Sequence, residues 1–195
     1  MVQMTQDHSE NPEEEDESMS LELNSMCKFS SQSDTEATEI SFPDEVLEHV
    51  LVFLTAHKDK NGVSLVCKSW YRVEAWTRHQ VFIGNCYALS PKTMIKRFPK
   101  IKSVTLKGKP RFADFNLVPE NWGSHLYSWV SAMSHAYPGL EKLSLKRMTV
   151  ADDDLALLAT SFPNFKELEL LYCDGFSTRG LGVIASKCRY TIFIS

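Results

Sequence analysis

Five basic residues follow two similar short apolar segments, and their spacing would suit the binding of an anion. They are Lys107, Lys109, Arg111, Lys146 and Arg147. If the two segments form neighbouring strands, equivalent positions come into register and these side chains cluster at one end of the sheet. Clustered cations repel one another unless an anion lies among them, and a polyphosphate suits such a cluster. A solvated basic rim is the alternative interpretation, and the spacing alone does not decide between the two.

The other reactive side chains form neither a catalytic set nor a metal site. The six histidines are scattered along the chain, and the sequence contains no nucleophile elbow and no glycine-rich phosphate loop. The five cysteines lack the CxxC spacing of zinc sites. Three consecutive aspartates at residues 152–154 stand where a helix is predicted to begin, and negative charge there offsets the helix dipole. The sequence therefore predicts a non-catalytic protein without a metal.

A nine-residue pattern occurs three times in the second half of the chain. Each copy reads aromatic, Pro, any, apolar, any, any, apolar, any, apolar, and the copies begin at Phe98, Tyr137 and Phe162. The last apolar positions predict the short strand of a leucine-rich repeat, with helices at residues 152–161 and 177–187. The last two copies start 25 residues apart, whereas the first two start 39 apart because one repeat carries an insertion. This predicts an α/β solenoid of repeats, and two unrelated β–α units are the alternative.

The stretch at residues 42–76 predicts two short helical units with more apolar surface than they can bury alone. Pro43 suits the first turn of a helix, and two acidic residues follow it where the helix dipole favours negative charge. Apolar residues then recur at helical spacing up to Leu54. Residues 59–62 interrupt the pattern, which resumes and continues to Val73. A unit of about 35 residues is too small to be self-sufficient, so these helices must pack on the next domain, on a partner or on both.

The first forty residues are acidic and polar. They contain eleven acidic residues and one lysine, a net charge of −10, so the rest of the chain carries +6 toward the total of −4. Such a composition cannot bury enough apolar area to offset the entropy of ordering, and we predict a disordered acidic tail at residues 1–40. The tail is either a solvated segment or one that competes for the basic body of the same chain.

Helices followed by leucine-rich repeats have a known precedent. The motifs FPDEVLEHVLVFL and VSLVCKSWY resemble an F-box, the module that binds the Skp-type adaptor of a cullin-based ubiquitin ligase. VFIGNCYALSP, LKGKPRFADFNLVP, LKRM and CDGFSTRGL are similar to segments of the plant transport-inhibitor-response and auxin-signalling F-box proteins. The resemblance covers residues 40–189. It implies four parts, which are the acidic tail (1–40), the F-box (41–80), the leucine-rich repeats (81–189) and a tail outside the family (190–195).

The resemblance implies a substrate receptor rather than an enzyme. In that family the F-box holds the ligase, and a closed ring of repeats binds auxin, which completes a surface for Aux/IAA repressors in the nucleus. An inositol hexakisphosphate lies under the hormone pocket as a structural cofactor. Lys107, Lys146 and Arg147 match ligands of its phosphates, and Phe112 and Phe115 match two phenylalanines that line the pocket.

Further positions follow from the same resemblance. Arg111 stands where many members have histidine, and arginine there, with the long N-terminal extension, resembles the subgroup linked to picolinate-type auxins. Phe112 and Phe115 lie in the insertion at residues 108–124, where the alternative role is to pin that loop to the repeats. The adaptor contact is expected to consist of exposed apolar side chains from the first helix. These are Pro43, Leu47, Leu51 and Leu54.

The repeat pattern breaks near residue 190. Cys188 begins a fourth copy 26 residues after Phe162, but Thr191 occupies its next apolar position. Because the family continues for many more repeats, we predict a truncated product with an incomplete hormone site that still binds the adaptor. A dominant-negative or regulatory adaptor-binding fragment is the alternative. A nucleic-acid-binding helical module is a third possibility, which Asp59 and Glu74 disfavour because their charge would repel phosphates.

Overall fold

The computed structural model describes residues 43–110, 125–187 and 192–194. Three helices come first, and strands then alternate with helices. The helices are α1 (Asp44–Val52), α2 (His57–Ser64), α3 (Lys68–Thr77), α4 (Pro91–Arg97), α5 (Tyr127–Ala136), α6 (Asp152–Ser161) and α7 (Thr178–Lys187). The strands are β1 (Gln80–Ile83), β2 (Ser103–Lys107), β3 (Lys142–Lys146), β4 (Glu167–Leu171) and β5 (Ile192–Ile194). The acidic tail expected at residues 1–40 lies outside the described residues.

All five strands form one parallel sheet in the order in which they occur along the chain. Parallel neighbours need crossover connections, and helices α4 to α7 lie in these connections. Val104, Leu143 and Leu168 stand in register on β2, β3 and β4, and all three are buried. The predicted fold class, a helical region followed by the first α/β repeats, is therefore confirmed.

The aromatic residue that opens each copy of the nine-residue pattern ends the preceding helix. Phe98, Tyr137 and Phe162 each come directly after the last residue of a helix, and each is buried. The Tyr137 hydroxyl donates a hydrogen bond of 2.7 Å to the carbonyl oxygen of Phe98, and burial raises its pKa. The pattern thus fixes where one helix stops and how two consecutive repeats contact each other.

The N-terminal region has three helices rather than the two units expected. Residues 59–62 lie inside α2, and Gly62 has open space around its Cα. The buried position in this segment is the polar Asn61, which accepts a hydrogen bond from Arg78, and this hid the helix from a search for apolar spacing. The true break follows at residues 65–67, just after the Ser64 hydroxyl donates to the carbonyl oxygen of Asn61 at 2.7 Å.

Strand β1 and helix α4 were not anticipated from the sequence. They contain four and seven residues, which is too short for periodicity to stand out. Helix α4 is nevertheless well initiated, because Pro91 occupies its first turn and the Ser90 hydroxyl accepts a hydrogen bond of 3.3 Å from the Thr93 amide.

Strand β5 continues the sheet within the segment that was assigned to a tail outside the repeats. In the register of the two strands, Ile192 is the partner of Leu168 on β4, and Ile194 is the partner of Leu170. The spacing from β4 to β5 is therefore 24 residues, not the 26 that the Cys188 alignment suggested. The start of the nine-residue pattern therefore does not predict the register of this strand.

Helix α3 contributes to two separate apolar cores. Val73 packs with Leu47 and Leu51 in the core of the helical region, whereas Ala75 packs in the large core of the repeats, which includes Trp129. The helical region and the repeats therefore share helix α3 in their packing.

No described helix combines the length and apolar character that a membrane span requires.

Candidate functional site

Helices α1 and α3 enclose the small core of the N-terminal region. Leu47 and Leu51 are 3% and 4% exposed and pack with Val73. Leu54 is half-buried against the same core, and Pro43 is exposed. The expectation that Leu47 and Leu51 are exposed for an adaptor is therefore wrong. The apolar stripe of α1 is wide enough to cover two directions, and the chain's own α3 covers the side on which these leucines lie.

A second side of α1 stays uncovered. Val46, Val50 and Phe53 recur at helical spacing of four and three residues and are 49%, 52% and 83% exposed. Leu65 and Val66, in the turn after α2, are 59% and 61% exposed. We call these five residues the uncovered face. Large apolar side chains that are this exposed indicate a surface that binds another protein.

The strand ends bring expected basic residues together. Lys107 and Lys146 are direct partners at the ends of β2 and β3. The Lys109 amide donates a hydrogen bond of 2.8 Å to the carbonyl oxygen of Arg147, so both of these residues adjoin the same end of the sheet. On β4 the partner of Lys146 is Leu171, so the basic column stops there, as the sequence indicated.

Part of this positive charge is balanced within the chain. The Lys109 ammonium group lies 3.1 Å from a carboxylate oxygen of Asp174, which is well exposed, so this ion pair contributes little to stability. The Arg147 guanidinium lies 5.5 Å from the centre of the Tyr172 ring, within cation–π range. The cluster therefore contains the neighbouring Lys107 and Lys146 together with Arg147, whose guanidinium contacts the Tyr172 ring. Its occupation by an anion stays a prediction.

Three residues assigned to the hormone pocket cannot be placed by this structure. Arg111, Phe112 and Phe115 lie outside the described residues. Strand β2 ends at Lys107 shortly before them, and α5 begins at Tyr127 after them. Their expected roles in the pocket stay predictions.

A buried ionic network joins the helical region to the first repeat, and the sequence did not reveal it. Glu74 on α3 accepts hydrogen bonds from Arg78 Nε and, at 2.9 Å, from Arg97 Nη2 on α4. Arg78 Nη2 donates to Asn61 Oδ1 on α2 at 2.8 Å. Arg97 Nη1 donates to the carbonyl oxygen of Tyr71 at 2.7 Å, and its guanidinium stacks on the Tyr71 ring. Two guanidinium groups thus share one carboxylate away from water, an arrangement that fixes α3 against α4.

Two of the three aspartates at the start of α6 accept different hydrogen bonds. The buried Asp154 carboxylate accepts a hydrogen bond of 2.9 Å from the Ala151 amide, and burial raises its pKa. Asp152 accepts from the Ser177 amide at 2.7 Å and from the Ser177 hydroxyl at 2.6 Å, and these bonds hold its pKa below the usual range. Asp152 therefore caps α7 of the next repeat. Within residues 43–110, 125–187 and 192–194, no His, Cys, Asp and Glu side chains group closely enough to hold a metal ion.

Comparison with known proteins finds a match for each of the two regions, the three N-terminal helices and the repeats. The sequence model of the F-box family matches residues 39–80, and that of the transport inhibitor response 1 protein domain matches residues 99–145. "F-box protein FBX14" of Arabidopsis thaliana is 64% identical over 146 residues, which are 75% of this chain and 23% of that protein. "GRR1-like protein 1" of the same plant is 51% identical over 150 residues, 77% of this chain and 26% of that protein.

A relative with a different name matches the same region. "Coronatine-insensitive protein 1" of Arabidopsis thaliana is 41% identical over 147 residues, which are 75% of this chain and 25% of that protein. The chain thus spans about a quarter of the length of the curated relatives it matches. The three helices with their uncovered face are an F-box, and the strands and helices that follow are similar to the corresponding part of the transport inhibitor response and coronatine-insensitive proteins.

Proposed function

We propose that this chain is the F-box part of a substrate receptor in a ubiquitin ligase of the SCF type, and that its uncovered face binds the Skp-type adaptor. The exposure of Val50, Phe53 and Leu65 beside a complete small core carries this proposal. Because the core is already closed by α3, these side chains are not needed to fold the chain. Covering a large apolar side chain contributes roughly 1.5–3 kcal/mol, so a partner that covers this face gains a stable contact.

Adaptor binding is best tested by charge placed on the two sides of α1. Val50 is 52% exposed on the uncovered face, and Val52 is 72% exposed elsewhere on the same helix. Val50→Asp is expected to weaken adaptor affinity by about a hundredfold, because it places an unpaired carboxylate in an apolar contact. Val52→Asp is the matched control and should keep wild-type affinity. The measurement is calorimetric titration of the purified chain with the adaptor.

The two variants also separate folding from binding. Circular dichroism should show that both keep the helical content of the wild type, because neither side chain belongs to a core. Equal adaptor affinity for Val50→Asp and the wild type would reject the uncovered face as the contact. Failure of the wild-type chain, folded and soluble, to bind the adaptor at all would reject the proposed function itself.

We further propose that the repeats belong to a hormone receptor of the auxin type that acts in the nucleus and recruits Aux/IAA repressors. The resemblance of the residues around the insertion supports this choice, and the match to a transport inhibitor response domain at residues 99–145 is consistent with it. Other relatives are named coronatine-insensitive proteins, so the ligand must be tested directly. Because the hormone site of this chain is expected to be incomplete, we expect only weak stabilisation by auxin in a thermal-shift assay. Stronger stabilisation by coronatine than by auxin would overturn the auxin assignment.

Inositol hexakisphosphate is the proposed anion at the strand ends. Lys107, Lys146 and Arg147 would hold its phosphates, because the register places the two lysines side by side and Arg147 next to them. Lys146→Gln should lower the affinity for this polyphosphate about tenfold, since it removes one charge-assisted contact. Lys142→Gln, at the opposite end of the same strand, is the control and should leave the affinity unchanged. Equal affinities in a calorimetric titration would indicate a solvated basic rim instead.

A further inference from the structure

Trp76 separates two surface grooves at the junction between the F-box and the first repeat. The first groove has a volume of about 580 Å³ and lies beside the end of α1, with Val52 and Lys100 in its lining. The second has a volume of about 450 Å³ and lies between α3 and α4. Trp76 lines both grooves, is 48% exposed, and has the Lys100 ammonium group 4.0 Å from its ring centre.

The junction grooves are rich in positive charge. Lys60 and Lys100 line the first groove together with two histidines, and Arg72 and Lys96 line the second. Glu48 is the one carboxylate residue in the two linings, taken over the described residues. A cationic surface that also presents an aromatic ring and an aliphatic side chain suits an acidic peptide with some apolar residues.

The same chain contains such a peptide, which precedes α1 in the sequence. Residues 1–40 carry a net charge of −10, and the segment leads directly into α1. Its last acids are Asp34, Glu36 and Glu39, followed by Ile40 and Phe42. Nine extended residues span about 30 Å, whereas α1 is only about 14 Å long, so the segment reaches the groove at the end of α1 with chain to spare.

We propose that the acidic N-terminal segment docks in cis on the grooves around Trp76. The docking would neutralise the cationic junction and cover Trp76 without using the uncovered face of the F-box. It goes beyond the proposed receptor function and depends on neither the adaptor nor the hormone. The effective concentration of a tethered segment is in the millimolar range, so weak ionic contacts are sufficient for occupancy.

Carbodiimide cross-linking of the purified chain tests this arrangement. The reagent joins carboxylates to lysines that lie in contact, and mass spectrometry identifies the joined residues. We expect acids of residues 1–40 to be joined to Lys60, Lys96 and Lys100 about tenfold more often than to Lys92, which lies on α4 but lines neither groove. The preference should disappear at 0.5 M salt, where charge is screened within a few ångströms.

Two matched variants make the test sharper. Arg72→Gln removes a groove charge without removing a lysine, and it should lower the cross-linking of Lys96 about two- to threefold. Arg179→Gln removes an equally exposed arginine from α7 and should have no effect. Equal cross-linking of Lys92 and the groove lysines, or no effect of Arg72→Gln, would overturn the proposal.

The remaining outcome concerns the origin of the acidic segment. An equimolar mixture of isotopically heavy and light chains distinguishes links within one chain from links between two. Docking in cis predicts links within single chains at every protein concentration. A yield of mixed heavy–light links that rises with concentration would overturn docking in cis and identify a second copy as the donor of the segment.

Discussion

At the scale of single residues, Glu74 is the centre of the buried ionic network between the helical region and the first repeat. It is 2% exposed and accepts hydrogen bonds from Arg78, which directly follows α3, and from Arg97 on α4. Glu74 and Arg78 stand four residues apart, so their pairing could have been anticipated from sequence. Arg97 lies 23 residues from Glu74, and no local pattern connects the two. Sequence reasoning instead treated Glu74 as a surface charge that would repel nucleic acid.

Removing this carboxylate should cost much more than removing a surface one. Glu74→Gln leaves two buried guanidinium groups without a balancing charge, and we expect a loss of about 3–5 kcal/mol in the free energy of unfolding. Glu45→Gln, an exposed position on α1, should change that free energy by no more than about 0.5 kcal/mol. Urea denaturation followed by circular dichroism measures both. Similar losses in the two variants would show that the network is not a structural element.

The two aspartates of α6 with shifted pKa values should give opposite pH dependences. The raised pKa of Asp154 means that the folded state binds its proton more tightly than the unfolded state, so its contribution to stability falls as pH rises through that pKa. The lowered pKa of Asp152 has the opposite sign, and its contribution is lost as pH falls through the lowered value. Relative to the wild type, Asp154→Asn should therefore gain Tm as the pH rises from about 4 to 7, whereas Asp152→Asn should lose Tm as the pH rises from about 2 to 4, the two steps lying within a range from about pH 2 to pH 7.

A thermal melt series across that range, with Asp153→Asn as the exposed control, distinguishes these signs. Parallel curves for Asp152→Asn and Asp154→Asn would contradict the different environments that the structure gives the two carboxylates.

At the scale of elements, the helix α7 shows how closely neighbouring repeats fit. A Cβ atom on Gly180 would lie 2.3 Å from Asp152 Oδ1 and 3.1 Å from the Asp152 Cα, whereas a Cβ on Gly182 would meet nothing within 4 Å. Gly180 therefore lets α7 approach the carboxylate that caps it. The two glycines have the same helix propensity but opposite packing.

Alanine at these two positions should act in opposite directions. Gly182→Ala should stabilise the chain by about 0.5–1 kcal/mol, because alanine favours the helix. Gly180→Ala should destabilise it, because the new methyl group displaces Asp152 and uncaps α7. Chemical denaturation gives the two changes, and hydrogen exchange of α7 amides shows where they act. A gain in stability for both variants would mean that the cap adjusts without loss.

The elements also show what the sequence could and could not predict. The nine-residue pattern predicted β2, β3 and β4 because its last two apolar positions are buried in each of these strands. The acidic first turn and the apolar spacing that follows predicted α6. Helix α2 was missed because its inward positions include the polar residues Asn61 and Ser64, which are buried through hydrogen bonds, so it carries little apolar periodicity. The side of α1 that stays uncovered was not anticipated, because hydrophobic spacing reports apolar surface and not which neighbour covers it. That distinction depends on the tertiary position of α3.

At the scale of the whole molecule, the F-box and the repeats should fold as one unit. Val73 and Ala75 place α3 in both cores, and the Glu74 network joins α3 to α4 between them. Neither region can lose its packing without disturbing this shared helix. The junction therefore positions the uncovered face at a fixed angle to the strand ends.

A single unfolding transition is the expected result. Trp70 reports on the F-box core and Trp129 on the core of the repeats. In each of two variants that keep only one of these tryptophans, with the others replaced by phenylalanine, tryptophan fluorescence and circular dichroism should show coincident midpoints in urea. Two midpoints separated by more than the error of the fits would show that the regions unfold independently.

The sharing of α3 has a mechanical consequence. A force applied at Asp44 acts on α1 and is transmitted to the strands through α3, which packs in both cores. Stretching a single molecule between residue 44 and the last strand should thus give one rupture event. Anything bound to the first helix would then be held at a constant distance from the strand ends.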